Sequence, residues 1–515
     1  MKTTEINPIQ KEKQQDKIQA LEERNAVLEQ QLDWFKRQLF GRKSEKQLLE
    51  ENSAQGSLFA TDKNALAINT TTDIKAHKRK STKHLNGDEV NDNGLRFDAS
   101  VPTKVIDMPA PELKGEGADN YEIIGYKETN RLAQQPGSYT ILIYRRPVVR
   151  HKGEQTVKTT SAPSNVLEGC YADVSLIAGL MVDKGVYHLP LYRQHQRMMD
   201  SGVHISRATL INWIQKGIEL LRPIYQANLQ SIINSKTLAM DEVPIKAGRK
   251  SKGKMKQTYF WPMYGDNNEI AFTWSSSRGF LHAQNQLEGF TGTLLTDGYA
   301  AYSKTVAKLN EKEETVTHAA CWVHARRYFD RSLQIEPIAA QEAIEKIAQL
   351  YKNEKHIKAH LTEPADELAY RQKHSEPLVA EFFNWVYEQR QRTDLTPKNP
   401  LTKALNYVTE RQVEMKVFLA NPDVAMDTNH LERALRVIPM GRKNYLFCWS
   451  ELGAEQLGIL QSLLVTCRLQ EINPYRYLVD VLQRVSIQPA SKVEELTPRM
   501  WKEKFGDNFL TSDLA

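Results

Sequence analysis

Three acidic residues carry the chemistry this sequence can support: Asp241, Asp297 and Glu432. Asp241 closes the apolar run Leu238-Ala239-Met240, and Asp297 closes Leu294-Leu295-Thr296 just ahead of Gly298. Glu432 sits in Asp427-Thr428-Asn429-His430-Leu431-Glu432-Arg433, which reads as the opening of a helix. Two carboxylates at strand ends and a third on a helix can converge on a pair of Mg²⁺ ions. Hard divalent ions about 3.5–4 Å apart need oxygen ligands and compensating negative charge. Such a pair activates water or a 3′-hydroxyl for attack on phosphorus and stabilises the leaving oxygen. The expected cofactor is two Mg²⁺, with Mn²⁺ as substitute. Asp241 and Asp297 would share one ion, and Glu432 would complete the other coordination sphere. Each acid also has a plainer reading. A strand-ending Asp can cap a turn, and Glu432 can pair with Arg436 one helical turn on.

For these acids to meet, the chain must fold back on itself more than once. Thr237 to Glu242 reads as the first strand of a new domain, and 257–264 and 269–274 as the second and third strands of an antiparallel meander. Residues 291–296 and 315–320 supply a fourth and a fifth strand, followed by a helix from about Val323 to Leu333. Three strands, then mixed αβ units, with acids ending the first and fourth strands, is the order of a ribonuclease-H-like fold. The stretch between Asp297 and Glu432 is too long for a simple connection. It reads as helical over Ala339 to Tyr351, Pro377 to Arg390 and Leu401 to Phe418. This helical insertion is either added surface for DNA or a second subunit, or scaffold alone. Gly458 to Leu469 and Pro474 to Arg484 read as two further packed helices, split by Glu471-Ile472-Asn473-Pro474.

Basic residues gather around the acids. Lys246, Arg249, Lys250, Lys252, Lys254 and Lys256 lie between the first two strands, where Gly248 and Gly253 suggest a flexible loop. A positive loop of that kind suits a phosphate backbone. Arg326, Arg327, Arg433, Arg436, Arg442 and Lys443 form further clusters with the same expected partner. Cys321-Trp322-Val323-His324 is too sparse in ligand types for zinc. His324 is a candidate for active-site support or for a structural role at a helix start, and Asn429 is a second support candidate.

Upstream, Ile18, Leu21, Asn25, Leu28, Leu32, Phe35 and Leu39 follow a 3-4 spacing with Asn25 at an a position. That pattern predicts a dimerising coiled coil, the alternative being a helix packed on its own chain. A polar stretch follows, with a basic knot at Lys75-Ala76-His77-Lys78-Arg79-Lys80. Short alternating segments such as Tyr139 to Arg146, leading into Arg145, Arg146, Arg150 and Lys152, predict a small β-rich module with a basic edge. A helix over Leu191 to Met199, the turn Asp200-Ser201-Gly202-Val203 and a second helix capped by Ser206 fit helix-turn-helix geometry. Leu210 and Trp213 would face the core, leaving Arg207, Thr209 and Asn212 for DNA; a plain helical hairpin is the alternative.

A chain of 515 residues exceeds one ordinary domain, and its 40% apolar content supports real cores. The expected architecture is multidomain α+β. It comprises a coiled coil (1–50), a flexible linker (51–90), the β-rich module (91–169) and a helical DNA-binding domain (170–235). A ribonuclease-H-like core, a mixed sheet with flanking helices (236–333), is followed by the helical insertion (334–426). The core's final acidic helix (427–455) and a helical carboxy-terminal module (456–515) complete the chain. The net charge of +6 is mild support for a polyanionic partner. Four cysteines without a Cys-x-x-Cys pair argue against a disulfide framework and a cysteine-rich zinc module. With no signal-peptide core at Met1-Lys2-Thr3-Thr4-Glu5 and no long apolar run, the expectation is a cytoplasmic, nucleoid-associated protein without a membrane partner.

The chain resembles the large transposase of the bacterial insertion-sequence-66 family, a DDE-type enzyme. The resemblance is carried by Leu32 to Lys46, Leu238 to Pro244, Leu294 to Tyr302, Cys321 to Phe329 and Asp427 to Leu446. The most specific run holds Asn429, Glu432, Arg433, Arg436, Gly441, Arg442, Lys443 and Asn444. It implies transposition at terminal inverted repeats, with double-stranded element ends and target DNA as substrates. It also implies an acidic triad at Asp241, Asp297 and Glu432, a leucine zipper at Ile18 to Leu39, a homodimer or higher oligomer, and accessory proteins of the same element. The chain departs from the family pattern in one respect. Residues 91 to 169 lack the cysteines of the family's zinc module, so no structural zinc is expected.

Overall fold

The computed structural model describes residues 89–90, 96–97 and 101–514, apart from 111–112, 114–117, 136, 153–156 and 313–314. The coiled-coil positions Ile18, Leu21, Asn25, Leu28, Leu32, Phe35 and Leu39 and the basic knot lie outside the described residues. The described chain is mixed α/β, with strands gathered in three sheets.

Strands β1 (Glu89–Val90) and β2 (Arg96–Phe97) begin the first, small sheet. The second contains β3 (Thr103–Asp107), β4 (Tyr121–Gln135), β5 (Ser138–His151) and β6 (Val157–Thr159), and is dominated by the β4–β5 hairpin. Side chains alternate between faces along β5, as strand geometry requires. Tyr139 and Ile141 join the helical core that follows, while Leu142 and Tyr144 pack with Ala133 on the other face. The basic edge read from the sequence is largely consumed inside this module. The hairpin register sets Arg145 opposite Glu128 and Arg150 opposite Glu122, and both pairs form ion pairs. Arg146 is buried, bonded to the Thr160 carbonyl at 3.0 Å and Thr129 Oγ1 at 2.6 Å.

Helices α1 (Val174–Gly185) and α2 (Leu191–Asp200) lead to β7 (Val203–His204), then to α3 (Arg207–Leu220) and α4 (Arg222–Ile233). Ser206 caps α3, its Oγ accepting from Thr209 N at 3.1 Å. Leu210 and Trp213 are buried, whereas Arg207 and Asn212 are exposed and Thr209 is half-buried. The connection between α2 and α3 is not a bare turn, because β7 pairs with β2 and closes the small sheet.

The largest sheet holds β8 (Thr237–Met240), β9 (Val243–Ser251), β10 (Lys254–Gly265), β11 (Ile270–Ser275), β12 (Gly292–Thr296) and β13 (Val316–Ala320). Its order is β11-β10-β8-β12-β13, antiparallel on the first side of β8 and parallel on the other, with β9 paired to β10. Leu238, Met240 and Leu294 fill one face, while Ala239 and Leu295 fill the opposite one. Helices α5 (Phe280–Gln286), α6 (Ala300–Asn310) and α7 (Trp322–Ser332) connect and cover these strands.

One correction concerns residues 246–256, which form the β9–β10 hairpin rather than a flexible loop. Val243, Ile245 and Ala247 are buried and alternate with exposed Pro244 and Lys246, a period-2 pattern that the lysines obscure. Gly253 supplies the positive φ of the turn (+74°), and Gly248 (+70°) sits near an irregularity in the β9–β10 pairing.

The insertion contains α8 (Pro337–His360), α9 (Pro364–Tyr370), a π-helical turn (Arg371–Ser375), α10 (Glu376–Arg390), α11 (Pro400–Thr409) and α12 (Gln412–Lys416). The third helix expected here, Leu401 to Phe418, is broken at Glu410-Arg411, where Arg411 turns toward the acidic site described below. Buried Trp322 joins the insertion to the sheet. Its indole N–H donates to the Met415 carbonyl at 2.9 Å, and Phe382, Phe383 and Phe418 meet its ring edge-on.

The chain then returns through α13 (Asn429–Leu435), α14 (Val437–Tyr445), α15 (Glu451–Leu469), α16 (Pro474–Arg484) and α17 (Pro498–Phe505). The division drawn between 455 and 456 falls inside α15, which packs on β11. Ser462 Oγ accepts from Phe272 N at 2.8 Å, and Thr466 Oγ1 from Ile270 N at 3.1 Å. No helix among the described residues is long and apolar enough to cross a membrane.

Candidate active site

Strand register explains why Asp241 and Asp297 meet. β8 and β12 run parallel with Leu238 opposite Leu294 and Ala239 opposite Leu295. Two residues further along each strand, Asp241 and Asp297 emerge beside each other on the same face. Carboxylate oxygens of Asp241, Glu242 and Asp297 lie within 4.8 Å of one another. Glu242, absent from the residues expected here, carries one local signal in the sequence, its adjacency to Asp241. The Glu242 side chain is 2% exposed, ion-paired to Arg278 and accepting from Tyr302 Oη at 2.7 Å. Arg278 in turn lies over the Tyr299 ring, 4.0 Å from its centroid.

The electrostatics suit a cation. Burial pushes the Asp241 carboxyl up to about 7, and the charges of Asp297 and Glu432 add to that rise, with Arg278 and Arg327 opposing it. Three carboxylates in this compass, with negative charge in excess, could hold a divalent cation. Asp241 and Asp297 are well disposed as ligands, while Glu242 is already engaged by Arg278 and Tyr302.

The loop after β12 is held tightly. Asp297 Oδ1 accepts from Tyr299 N at 2.9 Å, and the Asp297 carbonyl accepts from Tyr407 Oη. The Gly298 carbonyl accepts from Arg411 Nη2 at 2.9 Å, and Arg411 stacks on Tyr407. Gly298 has φ +85°, and a Cβ there would lie 2.4 Å from Arg411 Nε. Gly298→Ala should therefore cost about 1–3 kcal/mol of stability from backbone strain and displaced Arg411. Denaturant melts would read that loss, and an unchanged midpoint would show that the loop relaxes freely. Beneath this loop, His318 Nε2 lies 2.9 Å from Thr296 Oγ1, and burial, reinforced by Arg411, drives its pKa down to about 4.

Glu432 reaches the site from the far end of the insertion. Cys321 Sγ at the end of β13 accepts from Thr428 N (3.3 Å) and Oγ1 (3.4 Å), which docks the start of α13. Asn429 supports that turn through Asp427, its Nδ2 donating to Asp427 Oδ2 at 2.7 Å. Glu432 lies in the first turn of α13 but outside the cluster of close acidic oxygens. Its carboxylate is instead gripped by Arg327, whose Nη2 donates to Oε1 at 2.7 Å and also to Oε2. The alternative pairing with Arg436 is not made. His324 stands beside this pair, with Nε2 3.8 Å from Glu432 Oε1 and 3.1 Å from Arg327 Nη1. Burial holds the His324 pKa below its ordinary value.

The basic residues divide into free and committed groups. Lys246, Arg249, Lys250, Lys252 and Lys254 on the β9–β10 hairpin are exposed, as are Arg326, Arg433, Arg436 and Lys443. Lys256 is held by Glu451 at 2.6 Å, and Arg442 Nη1 donates to the Pro244 carbonyl at 2.5 Å.

Comparison with known proteins gives a consistent result. A family profile described as "Transposase IS66 family" matches residues 169–456, and "IS66 C-terminal element" matches 462–499. A third, "Transposase C of IS166 homeodomain", matches 27–86, outside the described residues. Among curated relatives, uncharacterized protein y4qI of Sinorhizobium fredii (strain NBRC 101917 / NGR234) is 28% identical, over 78% of this chain and 76% of its own length. Uncharacterized protein y4hP of the same organism is also 28% identical, over 78% and 75%.

Proposed function

The chain belongs to the transposase IS66 family, and from that premise we propose that it is a DDE transposase. In this reading it binds the terminal inverted repeats of an insertion sequence and catalyses Mg²⁺-dependent cleavage and strand transfer. Family membership supports transposition and DNA binding in general. The specific chemistry rests on one observation, the in-register pair Asp241 and Asp297 with the Glu432 helix docked beside it. The sheet order β11-β10-β8-β12-β13, with acids after the adjacent strands β8 and β12, supports a ribonuclease-H-like core.

Bound Mg²⁺ would activate the attacking oxygen and stabilise the leaving 3′-oxygen. Asp241, Asp297 and Glu432 are the proposed ligands. Glu242 orients Arg278 at the edge of the site, and His324 and Asn429 hold the third acid's surroundings. Arg326, Arg327, Arg433, Arg436 and Lys443 offer phosphate contacts around the acids, with Arg442 bridging to β9. Arg207 and Asn212 on α3 are proposed to face DNA, with Thr209 at the capped end. Self-association through the amino-terminal segment would give a homodimer or higher oligomer, assisted by proteins of the same element.

Supplying pre-cleaved ends, target DNA and Mg²⁺ or Mn²⁺ tests the assignment. Covalently joined product is expected; hydrolysis without joining would reassign the chain as a nuclease, and metal-independent binding alone as an architectural protein. A second measurement addresses the hairpin. Replacing Lys250, Lys252 and Lys254 by Gln should weaken binding across sequences and flatten the log K against log salt slope by about 0.9 per lost phosphate contact. An unchanged slope would remove the β9–β10 tip from the interface.

A further inference from the structure

The third acid is occupied by a cation that belongs to the protein. Arg327 grips both oxygens of Glu432, and it is 45% exposed while the carboxylate is 23% exposed. A partly exposed pair of this kind contributes only about 0–1 kcal/mol to stability. Holding α13 in place does not require it, because Cys321 and Thr428 already dock that helix. The pair does have a chemical consequence. Both carboxylate oxygens accept from Arg327 Nη2, and Nη1 faces His324, so the oxygens are poorly available to a metal and the guanidinium is poorly available to phosphate.

Carboxylate and phosphate present the same bidentate face to arginine. We propose that Arg327 is an exchange residue. It neutralises Glu432 while the site is empty, and passes to a DNA phosphate as Glu432 turns to a divalent ion. No bond is broken beyond the ion pair, and charge balances at both ends: Glu432 exchanges a monocation for a dication, and Arg327 exchanges a carboxylate for a phosphodiester. His324, 3.1 Å from Arg327 Nη1 and 3.8 Å from Glu432 Oε1, sits at the pivot between the two partners. Linkage then makes each event promote the other. Phosphate that draws Arg327 away raises metal affinity, and metal that captures Glu432 frees the guanidinium for phosphate. The catalytic site therefore assembles fully only with DNA present, which restrains free-metal hydrolysis of passing nucleic acid. The proposal rests on the reading of Glu432 as a metal ligand.

Mn²⁺ binding to the full-length protein tests it, followed by electron paramagnetic resonance of the free ion. Titrations are run alone and with a short duplex copied from the element's end. In the wild type, one ion should bind more tightly than the second, and the duplex should tighten the second on the order of tenfold. Arg327→Gln should bind the second ion tightly without DNA and lose the DNA effect. Arg327→Lys keeps the charge but cannot hold Glu432 and His324 at once as the guanidinium does, so it should lose most of the coupling; wild-type coupling in Arg327→Lys would overturn the exchange. Glu432→Gln separates the two readings. If it loses the second ion while Arg327→Gln retains full coupling, the exchange alone is wrong. If it binds both ions like the wild type, Glu432 is no ligand and the triad assignment fails with it.

Discussion

Asp241→Asn, Asp297→Asn and Glu432→Gln are each expected to lower end cleavage and strand joining by roughly 10³-fold or more, while end binding stays near the wild-type level. Each substitution keeps the side chain's shape and removes its charge, so packing is preserved. On the proposed assignment, what is lost is ligand charge that no neighbour can supply. Glu242, the nearest spare carboxylate, is already bonded to Arg278 and Tyr302. The expected loss is at or above that of removing one preorganised transition-state donor, typically about 10²–10³. Single-turnover assays on pre-cleaved ends separate the joining step from product release. Wild-type joining by any one of the three variants would strike that residue from the triad.

The second large effect concerns stability, with the opposite sign. Asp241 is held up to about 7 by burial first, then by Asp297 and Glu432. Its folded-state pKa therefore exceeds the unfolded value near 3.8. The folded protein retains that proton more strongly, so ionisation of Asp241 destabilises the fold. The penalty is absent below about pH 4, grows as pH rises toward 7 and is complete above it. At most it amounts to about 4 kcal/mol, at 1.36 kcal/mol per tenfold change in proton affinity. In metal-free buffer, Asp241→Asn should melt at a higher temperature than the wild type at pH 8. That advantage should shrink steadily as pH falls toward 4.5. Saturating Mg²⁺ should reduce it at pH 8, because a cation relieves the same repulsion. A melting difference independent of pH would show that Asp241 is not under this strain. Together the two measurements test whether the charge crowding at this site serves cation binding.

Much of this fold was legible in the sequence because its signals are local. Alternation and apolar runs marked the strands that became β8 and β10 to β13, each within a few residues. Ser206 was recognisable as the cap of α3, and the split at Glu471-Ile472-Asn473-Pro474 falls where α16 starts, with Asn473 Oδ1 accepting from Tyr475 N. Where local signals conflicted, the reading failed for definable reasons. Lysines at exposed positions disguised the alternation of β9. The pattern of α11 ran past Thr409 without showing that Arg411 would leave the helix to bond Gly298. In the β-rich module, Arg145 and Arg150 looked like a basic edge because their cross-strand partners Glu128 and Glu122 are distant in sequence.

By itself, the sequence determined which acids stand at strand ends, which helix carries the third, and to which family the chain belongs. The placement of the acids follows from neighbouring residues and their periodicity, and the family from the resemblance of whole motifs. Tertiary structure alone decided that Asp241 and Asp297 lie in register, that Glu242 is buried against Arg278 and Tyr302, and that Glu432 is taken by Arg327 rather than by Arg436. Each of these depends on hydrogen-bond register or on charges brought together from distant parts of the chain. Strand pairing and the docking of α13 on Cys321 create those encounters, and no local periodicity encodes them.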